Sequence, residues 1–88
     1  MDITTDAIDA ILRSTLAPTL LLVQDDSHLH AGHAGASAGR HFTVRLVSAR
    51  FTGLNRLARH RLVYDALAAE MRVGIHALII DAKAPGEA

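Results

Sequence analysis

A helical segment enclosed between two strand-like runs restricts the fold of this chain more than any other part of its sequence. The run HFTVRLV, residues 41–47, alternates apolar and polar side chains, which is typical of a half-buried strand. Residues 56–72 then have the period of a helix, and IHALIID, residues 75–81, is a further strand. A crossover of this length permits a parallel pair, and such crossovers are right-handed in nearly all proteins. We therefore expect both strands to begin at the same edge of one sheet.

The first part of the chain adds a helix and another strand. Residues 5–16 have a helical period, with Thr4 or Thr5 as the N-cap. The apolar run TLLLVQD, residues 19–25, is predicted to be a strand. Residues 26–40 are rich in Gly, Ala, Ser and His and lack a period, so they are predicted to be a flexible loop. The first two strands can pair in antiparallel fashion across this loop.

The order of elements is α-β-β-α-β, which predicts an α+β fold with a three-stranded mixed sheet and both helices on one face. The length is that of a single domain, residues 1–88, which we expect to end in an irregular tail, residues 83–88. With only three aromatic residues, the core must be largely aliphatic. No apolar run approaches the roughly 20 residues that cross a bilayer. The N-terminus carries acids where a targeting peptide carries bases, so we expect a soluble, cytoplasmic protein that does not bind membranes.

Cysteine and charge content exclude several classes of function. There is no cysteine, so this chain alone cannot hold a disulfide, a zinc–thiolate site or an iron–sulfur cluster. Nine basic and nine acidic residues balance, which gives no overall attraction to nucleic acid or membrane. Ser27, His30 and the neighbouring Asp25 or Asp26 do not form a triad, because a short loop offers no fixed oxyanion site. We expect a protein that is not an enzyme, in which these two acids orient the loop.

The loop sequence DDSHLHAGHAG contains His28, His30 and His33, spaced as in some metal sites. The loop leads into the second strand, and parallel strands begin at one edge. His76, which opens the third strand, is therefore expected near these three histidines although it is over 40 residues away. Taken without further information, the loop histidines could equally be solvated or bind zinc or nickel adventitiously, and His76 could be structural. His41 is expected to orient the loop by a hydrogen bond.

A basic segment, RLARHRLVY, begins the second long helix. Basic residues at a helix N-terminus oppose the helix dipole, so the segment is either a solvated face or a surface for an acidic partner or a phosphate. The turn before this helix has the single glycine Gly53, the charges of the chain balance and few aromatic residues could stack on bases, which makes direct nucleic-acid recognition the weaker interpretation. The candidate partner residues are Arg56, Arg59, His60, Arg61 and Tyr64.

Several separated motifs resemble the BolA family across nearly the whole chain. They are VQDDSHLHAGHAG, RHFTVRLVSARFTG, LARHRLVYDALAAEM and GIHALIIDAKAP, in the family's order. The resemblance implies a KH-like domain with an α-β-β-α-β core, in agreement with the order of elements above. KH domains usually clamp nucleic acid with a G-x-x-G loop, but the corresponding segment here, FTGLNRL, has only Gly53.

The resemblance also implies a function. BolA-like proteins pair with monothiol glutaredoxins, and the pair can hold a bridging [2Fe–2S] cluster with the glutaredoxin cysteine and glutathione on one side. The family's strand-start ligand then corresponds to His76 and its loop ligand to His30, with His33 as the alternative. This implies an adaptor in cluster trafficking or iron sensing, which alone is a monomer or a weak homodimer. The alternatives are a DNA-binding transcriptional regulator that uses the basic helix and, from the residues themselves, a zinc-buffering domain.

Overall fold

The computed structural model describes residues 3–27 and 40–87 of the chain. Within them the predicted α-β-β-α-β order is confirmed, although the second helix is divided in two. The elements are α1 (Thr5–Leu16), β1 (Leu20–Asp25), β2 (Arg40–Val47), a 3-10 turn (Ala49–Phe51), α2 (Arg56–Ala66), α3 (Ala68–Val73) and β3 (Ile75–Lys83).

The three strands form one mixed sheet in the order β1-β2-β3. β1 pairs with β2 in antiparallel fashion, and β2 pairs with β3 in parallel, as the crossover predicted. The start of β2 and the start of β3 therefore lie at the same edge, and Arg40 is aligned with Ile75 there.

One face of the sheet carries the core. Phe42, Val44 and Leu46 alternate along β2 and are buried, whereas Arg45 between them is exposed. The helices supply the opposing apolar side chains, which α1 presents at every fourth residue, Ile8, Leu12 and Leu16. The confirmed arrangement is thus helices on one face and an open opposite face. The buried apolar residues are Ile3, Ile8, Leu12, Leu16, Leu21, Phe42, Val44, Leu46, Phe51, Val63, Leu67, Ile75, Ile80 and Ala84.

The ends of α1 are fixed by local chemistry. The Thr4 hydroxyl accepts a hydrogen bond from the Ala7 N–H at 3.1 Å, which confirms one of the two predicted N-caps. Ala17 adopts a left-handed conformation with φ 44° as the C-cap, directly before Pro18. Buried Ser48 then ties this end of the helix to the sheet, since its hydroxyl donates to the Leu16 carbonyl at 2.5 Å.

Two predicted elements differ from the structure by more than a shift of one residue at an end. The single helix predicted over residues 56–72 is interrupted at Leu67, whose ψ of 17° departs from helical geometry. β3 runs to Lys83 and not to Asp81, because its last residues pair with the end of β2. The predicted tail, residues 83–88, therefore begins inside the sheet, and buried Ala84 follows. Among the residues described, no helix is both long and apolar enough to span a bilayer.

Candidate functional site

His76 lies at the edge where β2 and β3 both begin. Arg40 is aligned with Ile75, but His41 is aligned with Ala77, so the register shifts by one residue and His76 is the extra residue of a bulge. A bulge removes one residue from the regular ladder and turns its side chain away from the direction that alternation would give it. His76 is exposed to solvent, as a ligand for a partner's metal would need to be.

The imidazole of His41 lies beside that of His76. The two ring centroids are 5.2 Å apart and the ring planes are inclined by 53°. The expected convergence of the start of β2 with the start of β3 is therefore confirmed at these two side chains. Imidazole nitrogens are common ligands for iron, copper and zinc, so this edge offers metal-binding chemistry.

A network of hydrogen bonds joins the two described ends of the predicted loop. The carboxylate of Asp25 accepts hydrogen bonds from Arg40 and from the Ser27 N–H, the latter at 2.9 Å. The Ser27 hydroxyl accepts from Arg40 Nε and from the His41 N–H, each at 3.2 Å. The Arg40 N–H donates to the Gly74 carbonyl at 2.9 Å. We call Asp25, Ser27 and Arg40 the clamp, because they hold both ends of the loop beside the start of β3.

Asp26 secures the same region from the open face of the sheet. It is buried and accepts hydrogen bonds from Thr43 and from Gln24 Nε2, the latter at 2.8 Å. Its backbone N–H donates to the His41 carbonyl at 2.7 Å. The two acids predicted to orient the loop do make the contacts this role needs. His41 also contributes, through its backbone.

The electrostatics of the clamp favour an ionised Asp25. Burial raises the pKa of its carboxyl, but hydrogen bonds from Ser27 and Arg40 outweigh burial, so the net pKa is lowered. The ends of the loop are thus held by a charged pair, Asp25 and Arg40, whose side chains are about one-third exposed, at 30% and 35%.

The loop histidines His28, His30 and His33 lie outside the described residues. Within residues 3–27 and 40–87, no group of three His, Asp or Glu side chains could hold a metal ion. Within the described residues, the predicted proximity of His76 to the loop is supported by two contacts. His41 lies beside His76, and Arg40 of the clamp bonds to Gly74.

The basic segment divides into exposed residues and one anchored residue. Arg56, Arg61 and Tyr64 are exposed, in keeping with a surface. Arg59 differs, since its side chain is only 13% exposed and forms an ion pair with Glu87. The sequence pattern gave no indication of this pairing, because the two residues are 28 positions apart.

A polar cleft of about 550 Å³ lies between the start of α2 and the end of β3. Arg61 and Tyr64 do not line it, whereas the sequence analysis overlooked Lys83 and Glu87, which do. No local motif marks these two residues, since the cleft lies between α2 and the end of β3, which are distant in sequence. The lining residues are Leu54, Arg56, Arg59, His60, Ile80, Asp81, Ala82, Lys83 and Glu87.

Comparisons with known proteins agree on one family. Residues 12–87 match the BolA family, described as BolA-like protein. The chain is 47% identical over 81 residues to "Protein BOLA1, chloroplastic" of Arabidopsis thaliana, an alignment that spans 86% of this chain and 50% of that protein. It is 43% identical over 75 residues to "DNA-binding transcriptional regulator BolA" of Escherichia coli (strain K12), covering 85% of this chain and 70% of the relative. The solved structure of BolA1 from Arabidopsis thaliana superimposes with a TM-score of 0.84 at 39% identity, over 100% of this chain and 98% of that one.

Proposed function

This chain belongs to the BolA family, and on that premise we propose that it is an adaptor that binds a monothiol glutaredoxin and co-ligates a bridging [2Fe–2S] cluster. The partner and its glutathione would supply the sulfur ligands. The chain would supply His76 and one loop histidine, His30 or His33. We place this role in the cytoplasm, in iron–sulfur cluster trafficking or iron sensing, and infer no catalytic activity.

The position of His76 is the observation that carries the proposal. The imidazole is exposed at a bulge beside His41 and next to the clamped ends of the histidine loop. A terminal ligand for a cluster shared between two proteins must be both fixed and open to the partner. The bulge and the neighbouring ring fix this imidazole, and its exposure leaves it accessible.

The donor set of the chain fits half of a cluster site. Iron–sulfur clusters are usually held by four thiolates, but two histidines replace two cysteines on one iron in Rieske centres, which raises the reduction potential. This chain has six histidines and no cysteine, so it can offer only the imidazole half. When bound, the cluster would supply one-electron redox chemistry and iron and sulfide that can be passed on.

The residues of the chain itself would act by positioning. His41 packs against the His76 ring and restricts its orientation. The clamp holds the loop ends at this edge, which lowers the entropy lost when a loop histidine is immobilised. Because an imidazole binds metal only when neutral, assembly would weaken as the solution is acidified.

The proposal is tested by anaerobic reconstitution of the cluster on a mixture of this chain, a monothiol glutaredoxin and glutathione. We expect His76→Ala to abolish the spectroscopic signature of histidine-ligated iron in Mössbauer and visible circular dichroism spectra. Either His30→Ala or His33→Ala should do the same, and the other should not. His60→Ala on α2 is the matched control and should leave the spectra unchanged.

A second substitution tests ligation and not mere folding. We expect His76→Cys to retain a cluster, with a lower reduction potential, because a thiolate replaces an imidazole. Unchanged spectra in His76→Ala would refute the assignment, as would a cluster that forms equally well without glutaredoxin. Tight zinc binding by the chain alone, with no glutaredoxin complex, would favour a zinc-buffering role.

A second candidate function is DNA binding, which the name of the Escherichia coli relative brings into consideration. The exposed Arg56 and Arg61 at the start of α2 favour it, and the lone Gly53 in the preceding turn opposes it. The two functions differ in salt dependence. DNA binding should weaken steeply with salt as phosphates are neutralised, whereas cluster-bridged assembly should depend on iron, sulfide and glutathione.

A further inference from the structure

The cleft beside Arg59 holds a carboxylate of the chain itself. Arg59 Nη2 donates to Glu87 Oε2 at 2.7 Å, and Nη1 donates to Glu87 Oε1, so the guanidinium and carboxylate meet in a two-bond fork. This is the arrangement by which arginine recognises carboxylates and phosphates. The outer edge of the Arg59 guanidinium therefore points into the cleft, where Glu87 now lies.

The orientation of Arg59 does not depend on Glu87. Its Nε donates to the Leu54 carbonyl at 2.9 Å, and its Nη1 donates to the Ala82 carbonyl at 3.2 Å. Both acceptors belong to the backbone on either side of the cleft. If Glu87 left, these bonds would still aim the outer edge of the guanidinium into the cleft, so the fork is preorganised for an anion.

The charge of the cleft also exceeds what Glu87 balances. Arg56 and Lys83 line it together with Arg59, and the remaining acid, Asp81, forms an ion pair with Arg45 at 3.5 Å. His60 lines the same space. Two cationic side chains beyond Arg59 therefore face a cleft whose own carboxylate is already engaged, which favours an additional or replacement anion.

Glu87 reaches the cleft through a short turn. The Glu87 N–H donates to the Ala84 carbonyl at 3.2 Å, and Gly86 has a positive φ of 88°. The Ala84 N–H donates to Glu87 Oε1 at 2.9 Å. The Glu87 side chain remains 44% exposed, so a ligand carboxylate can approach it from solvent and, on replacing it, could also accept the hydrogen bond of the Ala84 N–H.

We propose that this cleft is a binding site for the carboxylate groups of an acidic ligand, and that Glu87 occupies it as an internal competitor. The ligand would replace Glu87 on the Arg59 fork while Arg56 and Lys83 neutralise further negative charge. The carboxylates could come from a small dicarboxylic acid or from acidic side chains of a protein partner, since both present the same group. The proposal does not involve the histidine end and stands whether or not a cluster is bound.

Glu87→Gln is the central test, because it removes the competing charge and keeps the shape. The probes are succinate and a hexaglutamate peptide, titrated into the whole chain and followed by NMR shifts of the Arg59 Nε–H and the Ala84 N–H. If Glu87 fills the cleft about nine-tenths of the time, its removal should tighten binding about tenfold. Binding of both probes would indicate recognition of the carboxylate alone, and binding of the peptide alone would identify a protein source.

Two variants in the Glu87→Gln background separate this site from general attraction to a basic surface. Arg56→Gln should weaken binding several-fold, whereas Arg50→Gln, an exposed residue that does not line the cleft, should leave it unchanged. Thermal unfolding of each variant confirms that it is folded. The proposal is overturned if neither probe binds, if Glu87→Gln binds no more tightly than the original chain, or if the two arginine variants behave alike.

Discussion

The two ends of β3 differ in how their polar side chains are satisfied. At its start, His76 sits exposed at a bulge. At its other end, roughly 23 Å away at about 3.3 Å per residue, the Ala82 carbonyl and Lys83 border a cleft in which Arg59 is already paired. The first end exposes an imidazole to solvent, whereas at the second an arginine is paired with a carboxylate of the chain itself.

The two ends differ in the source of their hydrogen-bond partners, which is solvent for His76 and the chain itself for Arg59. An exposed imidazole costs little free energy of folding, since water can form hydrogen bonds with its nitrogens. The guanidinium of Arg59 belongs to a side chain that is only 13% exposed, so it has limited access to water and relies on acceptors from the chain. Glu87 and two backbone carbonyls supply them. A group that binds His76 would therefore find its imidazole exposed, whereas a group that binds the Arg59 fork would have to displace Glu87.

The largest expected effect tests whether the two ends share one core. Phe42 is fully buried in the central strand, so Phe42→Ala should lower the free energy of unfolding by about 3–5 kcal/mol. Urea unfolding followed by circular dichroism measures the loss. Leu22→Ala, on the exposed face of β1, is the control and should change the stability by roughly 0.5 kcal/mol or less.

Hydrogen exchange in the Phe42→Ala variant tests whether the two ends of β3 depend on the same core. The His41 N–H reports on the histidine end, and the Ser48 N–H, which donates to the Lys83 carbonyl at 2.9 Å, reports on the other. Both should lose protection together. Loss of protection at only one of the two N–H groups would show that the two ends of β3 unfold separately and do not share one core.

A smaller effect is expected from Arg40→Gln, which breaks the clamp. The side chains of Arg40 and Asp25 are about one-third exposed, so the global stability should fall by less than about 1 kcal/mol. Exchange of the His41 N–H should accelerate, while that of the Ser48 N–H should not. Arg45→Gln on the same strand, whose ion pair with Asp81 is looser at 3.5 Å, is the control. Equal acceleration at both ends would contradict a local role for the clamp.

The smallest effect concerns the pH dependence of the arginine end. Hydrogen bonds from Arg59, and one from the Ala84 N–H, lower the pKa of Glu87 from 4.5 to about 2. Because the folded state holds the carboxylate in its charged form, the resulting stability is fully present above about pH 4.5 and is lost as the pH falls towards 2. The melting temperature of the original chain should exceed that of Glu87→Gln at pH 6, and the gap should close in this interval. A gap that is constant from pH 2 to 6 would mean that the ion pair adds no stability.

Local patterns in the sequence were sufficient for most of the fold. The bounds of α1 follow from its period and from Thr4, and the parallel pairing follows from the length of the crossover. That pairing is also what allowed His76 to be placed beside the start of β2. The helix break at Leu67 could not be predicted, because the apolar period continues through it from Val63.

The features that escaped prediction depend on contacts between distant parts of the chain. β3 extends to Lys83 because Val47 is available to pair with it, not because alanine or lysine favours strands. Arg59 belongs to a predicted partner surface by its position on α2, yet its contacts are with Leu54, Ala82 and Glu87. Only the assembled sheet brings these groups together, so no spacing rule could have found the cleft.

The bulge at the start of β3 places His76 outside the regular pairing of the sheet. Without that residue, Ile75 would still face Arg40 and Ala77 would still face His41, and every later side chain of the strand would keep its side of the sheet. Loss of His76 would therefore keep the register of the sheet, although it would remove an exposed imidazole and its ring contact with His41. A substitution at this position can thus change the chemistry of this edge without changing how the strands pair.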